Sequence, residues 1–248
     1  RLKRENYRPR LDIRMALTCG EETSDRTNGV EYLIAHHREW VQADFALNEG
    51  AGGLLAEDGH RVALNVQAGE KIHQVYTLEV TNPGGHSSRP RPDNAIYDLV
   101  HALAAIEAYR FPVAFTDTTR DFFNRTAAQR TPALRDALAT LMKDPNDAAA
   151  RAVADKDIDV HSILHTNCVA TQLDAGHATN ALPQRARANV NCRIFPGTSA
   201  EAVRQTLSDV IGNPKVSVAI REVRNAPAPP PPLDPKVLGP AEKLAAEM

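Results

Sequence analysis

The sequence predicts an α/β chain: part of a mixed sheet, followed by a ferredoxin-like βαββαβ unit interrupted by a helical insertion. Three observations predict it. Residues 11–47 follow a strand–helix–strand rhythm. From His73 to Val223 the hydrophobic periods switch between 2 and 3.6 in the order strand, helix, strand, strand, helix, strand. The composition over 248 residues, 42% hydrophobic and 24% charged, is that of a globular chain and excludes disorder, collagen or coiled coil as the whole answer. A net charge of −2 speaks against a nucleic-acid partner. No apolar run approaches the roughly 18 residues a membrane span needs. Cys19, Cys168 and Cys192 are too few and too scattered for a disulfide framework or a cysteine-only zinc site.

Taken in order, Leu11–Leu17 alternates and then turns fully apolar, as a strand entering a core does. Thr27 or Asn28 can cap the next helix, whose apolar face is Val30, Leu33, Ile34, Trp40 and Val41. Phe45–Leu47 reads as a second short strand. His73–Thr81 is a strand, Ala95–Tyr109 a helix with Leu99, Leu103 and Ile106 on one face, and Thr166–Leu173 and Ala186–Ile194 two more strands. Ser199 caps a helix to Ile211, and Val216–Val223 closes the set. Phe111–His165 is extra to the ferredoxin-like order and reads as helices joined at Pro132 and Pro145. Ala226–Pro235 is a stiff proline-rich linker. The chain opens at Arg1 and stops at Met248 within a helical pattern, so it reads as an internal piece of a longer protein.

Four segments could carry chemistry. Thr18-Cys19-Gly20-Glu21-Glu22 is a small-residue turn delivering two adjacent carboxylates at a strand end, where open α/β sheets place ligands. Neighbouring residues point different ways, so one acid can hold a metal while the other reaches a water on it. The same pair also suits two solvated acids at a helix N-terminus. Asn48-Glu49-Gly50 sets a third acid before glycines that let backbone approach a ligand closely; it is equally a turn acid. Gly84-Gly85-His86-Ser87-Ser88 offers an imidazole in a glycine-rich loop, for an oxyanion or simply for solvent. Thr179-Asn180-Ala181-Leu182-Pro183, with Arg193 thirteen positions on, can clamp a carbonyl and a carboxylate, or be a turn residue and a surface ion pair.

In this order, on this layout, the motifs resemble the co-catalytic dizinc exopeptidase and deacylase superfamily of glutamate carboxypeptidase, aminoacylase, acetylornithine deacetylase and succinyl-diaminopimelate desuccinylase. The likeness runs from about Leu11 to Val223. It implies Glu21 as general base, Glu22 as ligand to one zinc and Glu49 as ligand to the other. It implies that His86 reaches into a partner subunit's site to steady the oxyanion, that Asn180 positions the substrate carbonyl, and that Arg193 binds its free carboxylate. By the same resemblance, residues 1–71 are part of a catalytic domain, 72–224 a lid and homodimerisation domain with its insertion at about 111–165, and 225–248 a return linker and helix. The substrate would be a small peptide or N-acyl amino acid, with no nucleic acid or membrane partner.

The superfamily also uses a His-x-Asp motif, a bridging Asp and a late metal-binding His, none of which matches in this chain. Two zinc ions are therefore expected in the full-length protein, with metal absent or substoichiometric, and no turnover, in the 248-residue piece. His36, His37, His60, His101, His161 and His165 sit in no matching context, and His177 has no ligand role. The alternative is a non-catalytic binding or dimerisation module derived from this superfamily. Compartment stays open between cytoplasm and periplasm.

Overall fold

A computed structural model describes residues 3–20, 27–48, 50–221, 229 and 232–247. It divides into two compact units, residues 1–51 and 52–248.

In the first unit, Asn28 is the cap of helix α1 (Gly29–His36), its Oδ1 accepting from the N–H groups of Val30 at 2.9 Å and Glu31 at 3.2 Å. The expected single helix to Val41 is two. His37 leaves helical geometry (φ −142°, ψ 45°), stacks its ring on Trp40, and α2 (Arg38–Val41) restarts beyond it. The strands expected at Leu11–Leu17 and Phe45–Leu47 are not formed, and Leu11, Ile13, Met15 and Leu17 stand 63–88% exposed. Alternation makes a segment suited to a sheet face, but a strand exists only as part of a ladder. Among the described residues neither segment has a ladder partner.

The second unit opens with an antiparallel hairpin of β1 (Gly53–Leu55) and β2 (Arg61–Leu64), which the sequence reading missed. Its turn contains Asp58-Gly59, with Gly59 at φ +84°. Then come β3 (Ile72–Thr81), the two-residue β4 (Gly85–His86) and α3 (Ala95–Ala108). The insertion holds α4 (Asp117–Arg125), α5 (Pro132–Leu141), α6 (Ala148–Ala154) and α7 (Ile158–Leu164). After it follow β5 (Asn167–Ala175), the short β6 (Ala181–Leu182), β7 (Arg185–Ile194), α8 (Ala200–Ile211) and β8 (Ser217–Ile220). A final helix, α9 (Pro235–Glu247), contains Pro240. Half of the proline-rich segment Ala226–Pro235 lies outside the described residues.

β3-α3-β5-β7-α8-β8 is the βαββαβ unit, with sheet order β5-β7-β3-β8 and every neighbour antiparallel. Tyr76, Leu78 and Val80 of β3 and Val190, Cys192 and Ile194 of β7 point to one face, because successive strand residues alternate. That face packs on Leu99, Ala102 and Ile106 of α3 and on Val203 and Leu207 of α8. Ser199 caps α8 as expected, accepting from Ala202 N at 3.1 Å, and Gly212 ends it in the left-handed region (φ +60°).

The insertion has its own core of Phe123, Leu138, Leu141, Val160 and Leu164. Its four helices start at Thr116, Thr131, Asp147 and Asp157, each accepting a backbone N–H with its side chain. Cys168 of β5 and Cys192 of β7 are direct cross-strand partners and form a disulfide, Cα–Cα 4.1 Å. The sequence spacing of 24 carried no sign of it; Cys19 is free.

Candidate functional site

Gly29 N–H donates to the Cys19 carbonyl at 2.8 Å. Gly20 stands at φ +75°, and a Cβ there would lie 2.4 Å from the Thr27 carbonyl oxygen, so this position requires glycine. Glu21, Glu22 and Glu49 themselves lie outside the described residues.

His86 and Asn180, ninety-four residues apart in sequence, are brought together. β4 and β6 pair antiparallel, with His86 opposite Ala181, and Ser87 N–H donates to the Asn180 carbonyl at 2.9 Å. Gly84 (φ +79°) and Gly85 (φ +148°) supply the turn, and a Cβ on Gly84 would meet Gln184 at 2.7 Å. Asn82 braces the loop, accepting from Gly84 N and donating to Asp93 at 2.9 Å. Arg91 pairs with Asp93 at 3.0 Å and holds that carboxyl below its ordinary range.

The ring of His86 has a defined polarity. Ser88 N–H donates to its Nδ1 at 3.2 Å, and Ser88 Oγ lies 2.8 Å from the same nitrogen. A backbone N–H can only donate, so Nδ1 is the acceptor of the neutral ring and Nε2 carries the proton. The imidazole is exposed, and among the described residues no partner meets that N–H.

Arg193 lies elsewhere. It sits near the end of β7, opposite His73 of β3 and Asn167 of β5, on the polar face of the sheet turned away from α3 and α8. His86 follows the other end of β3, where Thr81 pairs with Arg185. Eight strand positions separate Arg185 from Arg193, roughly 27 Å at ~3.4 Å per residue. Around Arg193 the sheet face is cationic and polar: His73 contacts Asn191, and Lys71 is half-buried nearby. Burial, and secondarily the Arg193 charge, push the Lys71 ammonium down to about 8. Farther along the same face Asp174, Arg187, Asn189 and Arg221 line a shallow groove.

Zinc is tested by the chemistry of the donor set. Glu22 and Glu49 are carboxylates that zinc accepts, but a zinc site takes three or four protein ligands, usually with imidazole or thiolate among them. These two acids fit as members of a larger set. Elsewhere, among the described residues, one grouping of metal-capable side chains exists: Asp155, His161 and His165 in the insertion. These histidines match no family motif; His-x-x-x-His with an Asp six residues earlier is the signal in the sequence that marks them. Among the described residues no helix is long and apolar enough to cross a membrane.

Residues 68–219 match the family model described as the peptidase dimerisation domain of the M20 peptidases. The chain is 26% identical over 223 residues to a zebrafish (Danio rerio) N-fatty-acyl-amino acid synthase/hydrolase PM20D1.1, covering 88% of this chain and 42% of that protein. It is 25% identical over 240 residues to human (Homo sapiens) PM20D1, covering 94% and 46%. Among solved structures it is similar to the M20 family metallo-carboxypeptidase Sso-CP2 from Sulfolobus solfataricus, with 17% identity, a TM-score of 0.43, and 76% of this chain and 51% of that one covered. The chain thus spans less than half the length of the PM20D1 relatives. Because the family match takes in more than half of its residues, the chain belongs to the M20 peptidase superfamily and carries that superfamily's dimerisation domain.

Proposed function

We propose that the whole protein is a metal-dependent amide hydrolase acting beside a free carboxylate, as an exopeptidase or N-acyl-amino-acid deacylase. This chain would supply its general base, two metal-binding acids and the lid through which it forms a homodimer. The observation that carries the reading is the β4–β6 pairing: it joins the His86 and Asn180 loops and leaves His86 Nε2–H free. A free neutral N–H on one loop and an amide on the next is what an amide carbonyl turning into an oxyanion needs. The relatives' printed name, N-fatty-acyl-amino acid synthase/hydrolase, describes chemistry at such a bond.

In this reading the Glu21 carboxylate takes a proton from the attacking water and passes it to the amide nitrogen as the C–N bond breaks. Asn180 orients the carbonyl, His86 Nε2–H donates to the oxyanion, and Arg193 holds the substrate's carboxylate. Glu22 and Glu49 would each hold one zinc. A bound zinc supplies Lewis acidity, bringing a water's pKa toward about 7. Residues 1–71 and 225–248 would belong to the catalytic domain and 72–224 to the lid. The distance between the His86 and Arg193 ends of the sheet supports a site shared between subunits, since one small substrate cannot touch both ends of one lid.

A family match confined to residues 68–219 is also what a non-catalytic dimerisation module would give. Glu21→Gln in the full-length protein separates the two readings. The enzyme reading expects hydrolysis of N-acyl amino acids, read as amine release, to fall about 10³-fold at unchanged metal content. No hydrolysis in the unmodified full-length protein, or a Glu21→Gln rate within tenfold of it, would overturn the enzyme reading.

A further inference from the structure

We propose that Asp155, His161 and His165 form a site for one divalent transition-metal ion, zinc by its donor set, that clips shut the neck of the helical insertion. This site lies in the lid's insertion and uses none of the acids invoked above. The insertion leaves the ferredoxin-like unit at Phe111 and returns to it at His165, so the cluster stands where its two ends meet. Asp155 caps the end of α6, His161 lies on α7, and His165 ends α7. Their donor atoms, one per residue, all lie within 4.8 Å of one another.

The hydrogen bonds around the cluster aim its lone pairs inward. His165 is 1% exposed, and its Nδ1 lies 2.7 Å from the Phe111 carbonyl oxygen. A carbonyl only accepts, so Nδ1 carries the proton, and in the neutral ring Nε2 presents a lone pair. That lone pair faces Asp155 Oδ1 at 2.9 Å, itself an acceptor, and His161 Nδ1 converges on the same oxygen at 3.0 Å. Two acceptors in contact at a buried position need a positive centre between or beside them. A second ring proton is one solution; a metal ion satisfies all three groups at once.

The surroundings match a metal site's outer hydrogen bonding. The Phe111 carbonyl fixes the His165 tautomer, as carbonyls do behind ligating imidazoles. Arg151 Nη2 also donates to that carbonyl at 2.9 Å, while its Nε lies 3.5 Å from Asp155 Oδ2, steadying the outer carboxylate oxygen and leaving Oδ1 turned inward. Lys71 Nζ donates to the carbonyls of Ser162 and His165 at the end of α7, holding that end against the residue before β3. The two separations from Asp155 Oδ1, 2.9 and 3.0 Å, need to open by only a few tenths of an ångström, and the third, between the imidazole donors, is within 4.8 Å. A tetrahedron of ~2.0 Å bonds has edges of roughly 3.3 Å. Two imidazoles and one carboxylate suit zinc and its first-row neighbours rather than calcium or magnesium. His161 is partly exposed, leaving a side from which water can complete the shell.

The test strips the 248-residue chain of metal and titrates it with Zn²⁺ against a chromogenic chelator, comparing it with His161→Ala and Asp155→Asn. The difference is read, so zinc held by Glu22 and Glu49 cancels. Unmodified chain should bind one equivalent more than either variant, at least tenfold tighter, and gain thermal stability with Zn²⁺ that the variants do not. Circular dichroism checks that each variant folds. In the unmodified chain, Zn²⁺ should also shift the ring ¹⁵N resonances of His161 and His165, a reading that needs no variant. Equal zinc uptake by all three proteins, no uptake at all, or unmoved resonances would overturn the site and leave a proton-bridged cluster.

Discussion

His86 shows how one backbone contact sets a side chain's chemistry. Without Ser88 N–H on Nδ1 its ring could carry the proton on either nitrogen; with it, the outward nitrogen is a donor. Tyr76 is a second residue with a clear consequence. It is fully buried beneath α8, and its hydroxyl donates to the Ala200 carbonyl at 2.8 Å. Burial, and secondarily the nearby Glu201, raise the phenol well above its ordinary 10. Above that pH an unfolded chain loses the proton while the folded one keeps it, so the Tyr76 contribution is intact below pH 10 and declines as pH rises through it. Tyr76→Phe should lower stability by about 1 kcal/mol at pH 7 and flatten the loss above pH 10. Denaturant unfolding at pH 7, 9, 10 and 11 reads both, and an unchanged alkaline slope would refute the assignment.

At the scale of elements, the ferredoxin-like unit was legible because its strands and helices carry local signals that agree with their final packing. Ser199 caps α8, Asn94 caps α3, and the β7 alternation from Ala186 to Ile194 points into the core as its pattern requires. Leu11–Leu17 has a comparable alternation and forms no strand, because pairing partners decide strands and residue patterns only permit them. β5 is an edge strand, and the Cys168–Cys192 bond ties it to β7 across a 24-residue separation. Closing a loop of that length stabilises by about 3 kcal/mol in the chain-entropy account. Reduction, or Cys168→Ala with Cys192→Ala, should lower the melting temperature of the second unit by roughly 6–12 °C. A melting temperature unmoved by reductant, with the thiols shown free, would contradict it.

For the whole molecule, the proposed site is divided: the acids belong to the first unit, His86 and Asn180 lie at one end of the four-stranded sheet, and Arg193 at the other. A closed dimer can bring one subunit's His86 end to the other's acids. Full-length Glu21→Gln and His86→Ala, each nearly inactive alone, should recover activity when unfolded and refolded together, since mixed dimers carry one intact site. About a quarter of the unmodified activity is expected for random pairing of two subunits. Light scattering on the same samples should give twice the monomer mass. Recovery no greater than the sum of the separate variants would place His86 in its own subunit's site, and a strict monomer at micromolar concentration would remove the lid dimer altogether.

Several features were in the sequence by itself: the βαββαβ order, the helix caps at Asn28 and Ser199, the acids at 21, 22 and 49, and the Gly-His-Ser-Ser and Thr-Asn motifs. Each is written in residues close together in the chain, where spacing and turn chemistry act directly. Four other features were decided by the tertiary structure. These are the pairing of His86 with Asn180 across ninety-four residues, the roughly 27 Å that sets Arg193 apart from them, the Cys168–Cys192 bond, and the convergence of Asp155, His161 and His165 on the insertion's neck. All four depend on which strands lie side by side and which helix ends meet. Those choices are made by burying apolar faces against one another, and a one-dimensional pattern states which faces must be buried without stating what buries them.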